Sequence, residues 1–175
     1  MLETQRLVLR GFQEKDWKDL YEYLSLESVV RYEPYNPFTE EEAKRETSRR
    51  VRDESFWAVC LKDSGKLIGN LYFRQVEPEE FMEWELGFVF NPAYHGKGYA
   101  TESCKKIIEY GLGDLGVRRV VSMCNPENLS SWRLLERLGM RREGHFLKNI
   151  YFKRDRDGSP IWQDTYQYAL LNPIK

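Results

Sequence analysis

Residues 83–101 read EWELGFVFNPAYHGKGYAT, and this stretch decides the fold that the sequence predicts. The apolar run at 84–90 predicts a strand, which the following Asn-Pro pair ends. A turn with two glycines, 95–98, leads into a helical pattern that begins near Tyr99. Glycines let successive backbone N–H groups point into one concavity, and the positive end of a helix dipole attracts anions. The stretch therefore predicts an anion cradle, with the carboxylate of Glu85 on the strand just before it.

Length and charge bound the class of protein. The chain has 175 residues and no internal repeat, which predicts one compact domain over residues 1–175. Lys plus Arg (27) nearly balances Asp plus Glu (28), so the net charge of −1 argues against a nucleic-acid binder that uses its whole surface. A local basic groove is still compatible with this net charge. The N-terminus lacks the apolar core of a signal peptide, and no apolar run approaches the ~20 residues that span a bilayer. We expect a cytoplasmic protein without nucleic-acid or membrane partners.

The three cysteines favour reduced thiols. Cys60, Cys104 and Cys124 are odd in number, far apart in sequence and inside predicted elements. This pattern fits buried thiols of a cytosolic protein better than disulfides or a metal site. We therefore expect no metal cofactor.

The rest of the chain alternates strand and helix patterns in the order β α α β β β α β α β β. A capping box, Thr39 followed by Glu42, starts the second helix. A mostly antiparallel sheet that gains a βαβ crossover in its second half is a mixed α/β fold. Strands are predicted at 6–10, 56–61, 67–73, 83–90, 118–124, on both sides of 154–160 and over 162–171, and helices at 16–24, 39–53, 100–112 and from 130 or 131 to 139.

The glycine loop by itself fits more than one kind of turn. A Walker phosphate loop needs GxxxxGK followed by Ser or Thr, and a dinucleotide fingerprint needs a third glycine and a later acidic residue. Neither motif is present. A pair of glycines also occurs in plain tight turns, so both the anion cradle and the plain turn remain open on this motif alone.

Blocks spread over nearly the whole chain resemble one enzyme family. The run HGKGYATE at 95–102 is similar to the acyl-CoA pyrophosphate loop of the GNAT superfamily of N-acetyltransferases. In family order, further blocks resemble the branch that includes the ribosomal-protein N-terminal (alanine) acetyltransferases. The resemblance implies a GNAT-like fold with a mixed, mostly antiparallel sheet, splayed at the acyl-CoA site and flanked by helices. The further blocks lie at residues 2–10, 85–88, 125–131 continuing to 135–140, and 162–166.

The resemblance implies acetyl-CoA as co-substrate, bound between the central strand and the parallel strand after it. The backbone of Phe88 and Val89 would pair with the pantetheine arm, and an N–H there would polarise the thioester carbonyl. The loop N–H groups would hold the pyrophosphate, and Asn128 would bond the pantetheine. The implied cofactor-binding residues are Phe88, Val89, His95, Gly96, Lys97, Gly98, Tyr99, Ala100 and Asn128.

Two loop residues have an alternative interpretation. His95 stands where the family has Gln or Arg, a residue that acts largely through its backbone, so we read it as a loop histidine beside phosphate and not as a base. Lys97 either adds positive charge or is a solvated loop lysine.

Acetyl transfer needs a neutral amine. An alkyl amine with pKa near 10.4 is neutral in only about one molecule in 10³ at pH 7, and an α-amine near 7.8 in about one in ten. Glu85 matches a glutamate of related enzymes and is the candidate general base, directly or through water. Its alternatives are a solvated strand carboxylate or one that only attracts a cation. Glu83 lies on the same strand face and is a candidate for either role.

The proton donor to the leaving thiolate is less clear-cut. Many superfamily members place a tyrosine late in the last helix, and here the matching residue is Leu135. In the ribosomal-type branch, a serine at the position of Ser131 is the proposed donor. Ser131 also fits an N-cap or first-turn residue of the helix, and the two roles can coexist.

The acceptor site is where the sequence is least informative. Family members bind the acceptor with the first two helices and the loops around them, where Glu33 is suited to meet a cationic amine. Each aromatic side chain of this region, taken alone, fits core packing better than a pocket. The aromatic candidates are Trp17, Tyr32, Tyr35, Phe38 and Trp57.

The resemblance thus implies an acetyl-CoA-dependent N-acetyltransferase that moves the acetyl group directly to a primary amine, either a small amine or a protein N-terminus. Cys104 and Cys124 lie inside predicted elements without a companion histidine, which disfavours a cysteine nucleophile. The alternative is a catalytically degenerate module that binds acyl-CoA as a sensor or scaffold, which Leu135 keeps open. A homodimer is compatible with the family but has no support in the sequence.

Overall fold

The computed structural model describes residues 1–173. Over this part of the chain, eight strands form one sheet in the order β1-β2-β3-β4-β5-β6-β8-β7, and five α-helices cover its faces. The strands are β1 (Leu2–Glu3), β2 (Leu7–Arg10), β3 (Phe56–Leu61), β4 (Leu67–Gln75), β5 (Glu83–Phe90), β6 (Arg119–Cys124), β7 (Arg141–Arg154) and β8 (Pro160–Leu171), and the helices are α1 (Trp17–Leu24), α2 (Glu27–Val30), α3 (Glu40–Val51), α4 (Tyr99–Gly113) and α5 (Leu129–Arg137).

The sheet is antiparallel except where β5 pairs with β6. A parallel pair needs a crossover, and α4 supplies it between β5 and β6. The predicted mixed, mostly antiparallel fold with one βαβ unit is confirmed. The strand β1 and the helix α2 were not predicted, because two and four residues are too few to show a period.

The parallel ladder between β5 and β6 is short. It pairs only Glu83–Glu85 of β5 with Arg119–Val121 of β6, although both strands continue to Phe90 and Cys124. Just beyond the ladder, the Ser122 hydroxyl donates a 2.7 Å hydrogen bond to the Leu86 carbonyl. The two strands then separate, and their ends leave a gap in the sheet.

Two hydrophobic cores lie on opposite faces of the sheet. The first packs α4 and α5 against the sheet and includes the fully buried Ile107 and Leu135. Helix α4 approaches closely at Gly111, where a Cβ would lie 2.6 Å from Phe73 Cζ. The second packs α1 against β3 and β4, with the Tyr23 hydroxyl donating to Asn70 Oδ1 at 2.8 Å. Each helix thus buries its apolar stripe, which holds the strands that frame the gap.

Local capping explains where two helices begin. The predicted capping box is confirmed at α3, where Glu42 N donates to Thr39 Oγ1 (3.3 Å) and Thr39 N donates to Glu42 Oε2 (2.8 Å). At α5 the predicted start at residue 130 or 131 is wrong, because Asn128 is the N-cap and accepts from Ser131 N at 3.3 Å. An Asn side chain caps at least as well as Ser, so the helix begins at Leu129. Ser131 is therefore a first-turn residue.

Candidate functional site

A cavity of about 1490 Å³ opens where β5 and β6 separate. Its wall combines the segment 28–34, the exposed edge of β5, the loop before α4, the end of β6, the start of α5 and the β7–β8 hairpin. The structure brings ten of the eleven candidate site residues to this one wall and leaves Lys97 outside it. The ten are Glu85, Phe88, Val89, His95, Gly96, Gly98, Tyr99, Ala100, Asn128 and Ser131.

The glycine loop has a backbone that suits an anion. Gly96 and Gly98 have φ of +73° and +82°, the left-handed region where a side chain is strained. Gly98 is the N-cap of α4, a helix of 15 residues, and has no side chain to accept from the first-turn N–H groups. These N–H groups and the positive end of the helix dipole face the cavity mouth. The loop can therefore cradle a pyrophosphate.

The first turn of α4 is clamped to the N-terminal strands, a contact that the sequence analysis missed. Glu102 accepts from Thr4 Oγ1 at 2.5 Å, from Arg6 N at 3.0 Å and from Arg6 Nε at 2.8 Å. The guanidinium of Arg6 lies 4.4 Å from the Tyr99 ring centroid, and its Nη2 would lie 3.4 Å from a Cβ at Gly98. The clamp fixes the loop and places a cation beside it. The occurrence of all three clamp residues in the family blocks was the available signal.

The two loop residues with alternative interpretations both bond to backbone. His95 Nε2 lies 3.2 Å from the Phe90 carbonyl oxygen, so the ring braces the loop against the end of β5. Lys97 Nζ donates to the Ala93 carbonyl at 3.4 Å and lies 5.4 Å from the Tyr94 ring centroid. Lys97 is exposed and folds back on its own loop, which matches the alternative of a solvated loop lysine.

One edge of β5 faces the cavity without a partner strand. Phe88 and Val89 pair with Leu71 and Asn70 of β4 on one side, and the ladder to β6 has ended before them on the other. Both residues are half-buried and line the cavity. An extended arm with amide groups can add to such an edge as an extra strand would.

Glu85 is the carboxylate of β5 that reaches the cavity. Burial raises the pKa of Glu85, and the charge of Arg74, its cross-strand neighbour, opposes that rise. A carboxyl group with a raised pKa is a stronger proton acceptor once ionised. Glu83 does not share this position: its Oε2 accepts from Arg119 Nε at 2.6 Å, and it is absent from the cavity wall. The expectation that Glu83 shares the role of Glu85 is therefore wrong, because an ion pair holds its carboxylate elsewhere.

The start of α5 brings a hydroxyl and an amide to the opposite wall. Asn128 lines the cavity, and its Oδ1 accepts from Ser130 Oγ at 2.9 Å as well as from Ser131 N at 3.3 Å, which leaves the Nδ2 donor available for a ligand. Burial raises the pKa of the Cys124 thiol to about 11, and the neighbouring Ser131 side chain acts to lower it. Leu135 is fully buried in the first core.

The far end of the cavity includes one of the five aromatic candidates, Tyr32, together with Glu33. The other four pack elsewhere: Trp57 is edge-on to Tyr110, Tyr35 packs on Phe38, and Trp17 lies under Lys44. This placement agrees with the core interpretation of the four, since large aromatic side chains often fill cores. The wall also includes residues of the β7–β8 hairpin that were not predicted: Asn149, Ile150, Phe152, Gln163, Asp164 and Thr165.

Among residues 1–173, no group of three or more His, Cys, Asp or Glu side chains is placed to hold a metal ion. None of the helices in the same range is long and apolar enough to cross a membrane.

Comparison with known proteins gives a consistent result. A family model described as "Acetyltransferase (GNAT) domain" matches residues 6–141. The "Uncharacterized N-acetyltransferase YnaD" of Bacillus subtilis (strain 168) is 40% identical over 97% of this chain and 96% of its own length. The crystal structure of a GNAT-family acetyltransferase from Bacillus anthracis superposes with a TM-score of 0.88 at 35% identity, covering 98% of both chains. A spermidine N-acetyltransferase from Vibrio cholerae, solved in complex with CoA and spermine, shares the fold with a TM-score of 0.78 at 18% identity over 97% of each chain.

Proposed function

This chain belongs to the GNAT family of acetyltransferases and is an acetyltransferase enzyme, and from that premise we propose that it transfers an acetyl group from acetyl-CoA directly to a primary amine. The observation that carries the proposal is the cavity between the separated ends of β5 and β6. It joins a glycine loop at a helix N-terminus, an unpaired strand edge, a carboxylate and a hydroxyl on one wall. We take residues 1–175 as one domain that performs this reaction.

The groups present fit the co-substrate part by part. The loop 96–100 would hold the pyrophosphate with its N–H groups, and the ion pair of Arg6 with Glu102 would keep the first turn of α4 in place. The free edge of Phe88 and Val89 would pair with the amides of the pantetheine arm, with Asn128 Nδ2 as a further donor. Acetyl-CoA supplies the activated acyl group; this chain holds and orients it.

Acetyl transfer needs two proton transfers, and a residue of the cavity is proposed for each. Glu85 would accept the proton that the attacking amine loses as its nitrogen bonds to the acyl carbon. Ser131 would give its hydroxyl proton to the sulfur as the carbon–sulfur bond breaks, and would regain a proton from solvent. Both groups line the same cavity, which is one condition that a base and an acid must meet to act on one tetrahedral centre.

Transfer through a cysteine is the less favourable route. Cys124 lines the cavity, but its thiol pKa near 11 leaves it protonated at neutral pH. Burial also raises the pKa of Cys104, which lies fully inside the first core. A protonated thiol is a poor nucleophile, so direct attack by the amine is the proposed course.

One observation favours the competing function of an acyl-CoA sensor or scaffold. Leu135, at the position where many family members have their tyrosine acid, is an apolar core residue here. The sensor would keep the cofactor cavity and lack turnover.

The test is thiol release from acetyl-CoA with a panel of acceptors: aliphatic amines, amino acids, aminoglycosides and peptides with free N-termini. We expect release with at least one class of amine, in step with acetylated product. Tight acetyl-CoA binding without release on any acceptor would favour the sensor instead.

A further inference from the structure

Five carboxylates line the cavity wall, and they differ in whether another group of the protein already pairs with them. Glu102 is paired with Arg6, Glu127 lies 3.9 Å from Arg31, and Asp164 bonds to His145 Nε2 at 3.1 Å and accepts from the Lys148 N–H at 2.9 Å. Glu33 and Glu85 make no ion pair within 4.0 Å among the residues described.

Cationic side chains are scarce on the same wall. Within residues 1–173 the wall includes Arg137, near the end of α5, and His95, which bonds to the Phe90 carbonyl. Among the residues described, no lysine side chain lines it. The charges of Arg74 and Arg50 act on Glu85 and Glu33 from outside the wall, but neither arginine forms an ion pair with these carboxylates, so both can still pair with a cationic ligand.

The backbone of Glu33 is fixed at the cavity wall by a hydrogen bond, in which its N–H donates to the Val30 carbonyl at 3.0 Å. The carboxyl group lies beside the side chain of Tyr35, whose ring packs on Phe38 with the centroids 5.1 Å apart. Arg50, which is 3% exposed, donates from Nε to Glu46 at 2.7 Å, so its charge is already paired with another carboxylate.

The raised pKa of the Glu33 carboxyl group is consistent with a site that binds a cation. Burial raises its pKa to about 7, although Tyr35 and the charge of Arg50 both act to lower it. An entering ammonium group favours the ionised carboxylate, whereas an entering carboxylate would repel it. A neutral or acidic acceptor would leave this group without compensation.

We propose that Glu33 is a specificity-determining residue that binds a second, protonated amine of the acceptor while Glu85 serves the reacting amine. The inference rests on the proposed acetyl transfer and narrows its substrate class to compounds with two amino groups, such as α,ω-diamines. The reacting amine must lose its proton, and the distant one must keep it. Two unpaired carboxylates on one wall match these two needs.

The test compares acceptors that differ only at the far end: α,ω-diamines, the monoamines of equal chain length, and the corresponding ω-amino acids. We expect kcat/KM at pH 8 to favour the diamine over the monoamine roughly tenfold to a hundredfold, the range for one hydrogen bond to a charged group. The ω-amino acid should be the poorest acceptor. Because Glu33 does not touch the reacting atoms, the preference should lie in KM and not in kcat.

Two variants test whether Glu33 causes the preference for diamines. Glu33→Gln keeps the shape of the side chain and should reduce the diamine preference to near unity. The matched control is Glu27→Gln, an exposed carboxylate on the neighbouring helix α2 that does not line the cavity, and it should keep the preference.

The outcomes separate this inference from the proposed function. Thiol release with monoamines as efficient as with diamines, a preference for ω-amino acids, or a diamine preference that survives in Glu33→Gln would overturn the inference and leave acetyl transfer intact. Absence of release with every amine would overturn both.

Discussion

The buried carboxyl of Glu33 makes a stability prediction that needs no substrate. Burial raises its pKa from 4.5 to about 7 in the folded protein. Between these two values the folded state binds the proton that the unfolded chain has lost. Stability is therefore lost as pH rises above 4.5, and the loss levels off above pH 7.

The size of the effect follows from the shift. One pKa unit corresponds to about 1.4 kcal/mol, so a shift from 4.5 to about 7 corresponds to about 3 kcal/mol when the group is fully ionised. Of this loss of stability, about 2.5 kcal/mol occurs between pH 5 and pH 8. Glu33→Gln has no proton to lose. We expect the difference in unfolding free energy, Gln variant minus wild type, to rise by about 2 to 3 kcal/mol across this interval.

The assay is urea unfolding of wild type and variant at pH 5, 6, 7 and 8, with the variant-minus-wild-type difference plotted against pH. Other titrating groups contribute equally to both proteins and cancel. The control is Glu80→Gln, an exposed carboxylate on a short 3₁₀ helix away from the cavity. A Glu33→Gln difference that stays flat from pH 5 to pH 8, or falls, would refute the burial argument and weaken the acceptor inference with it.

Three further variants test the cavity. Gly98→Val should weaken acetyl-CoA binding about tenfold or more, because the new side chain fills the cradle. Gly158→Val is the control, since Gly158 has a similar left-handed φ (+81°) in the β7–β8 turn, and equal calorimetric affinities of the two variants for acetyl-CoA would contradict the loop assignment. Glu85→Gln should lower kcat by about 10²- to 10⁴-fold near neutral pH without changing the Kd of acetyl-CoA, and this loss should become smaller as pH rises because the amine then loses its proton to solvent. A kcat equal to that of the wild type at pH 7 would remove Glu85 from the mechanism. Ser131→Ala keeps the backbone N–H that Asn128 caps, so the fold should persist while kcat falls; an unchanged kcat in steady-state assays would leave Ser131 with its helical role alone.

The parts of the fold that the sequence predicts well are those set by local chemistry. The strand at 83–90, its glycine turn and the helix after it lie where the alternation, the Asn-Pro break and the glycines indicate. The Thr39 capping box is confirmed for the same reason, since its partners are three residues apart. The family resemblance is confirmed by the GNAT family model over 6–141.

The parts that the sequence does not predict depend on distant residues. The clamp of Glu102 joins residues 96 or more positions apart, and no local pattern encodes it. The pairing of Glu83 with Arg119 likewise becomes visible only once β5 and β6 lie side by side. The β7–β8 hairpin reaches the cavity through tertiary packing, which periodicity does not report. Site residues within one block are therefore predictable, and the acceptor end, where the segment 28–34 meets the β7–β8 hairpin, is not.

The central claim is that acetyl-CoA lies in the gap between β5 and β6. A crystal structure with CoA bound tests it most directly. We expect the pantetheine arm along the backbone of Phe88 and Val89, the pyrophosphate on the N–H groups of residues 96–100, and the sulfur on the side of the cavity shared by Glu85 and Ser131. CoA bound elsewhere on the protein, or in the gap with its phosphates away from the glycine loop, would contradict the account.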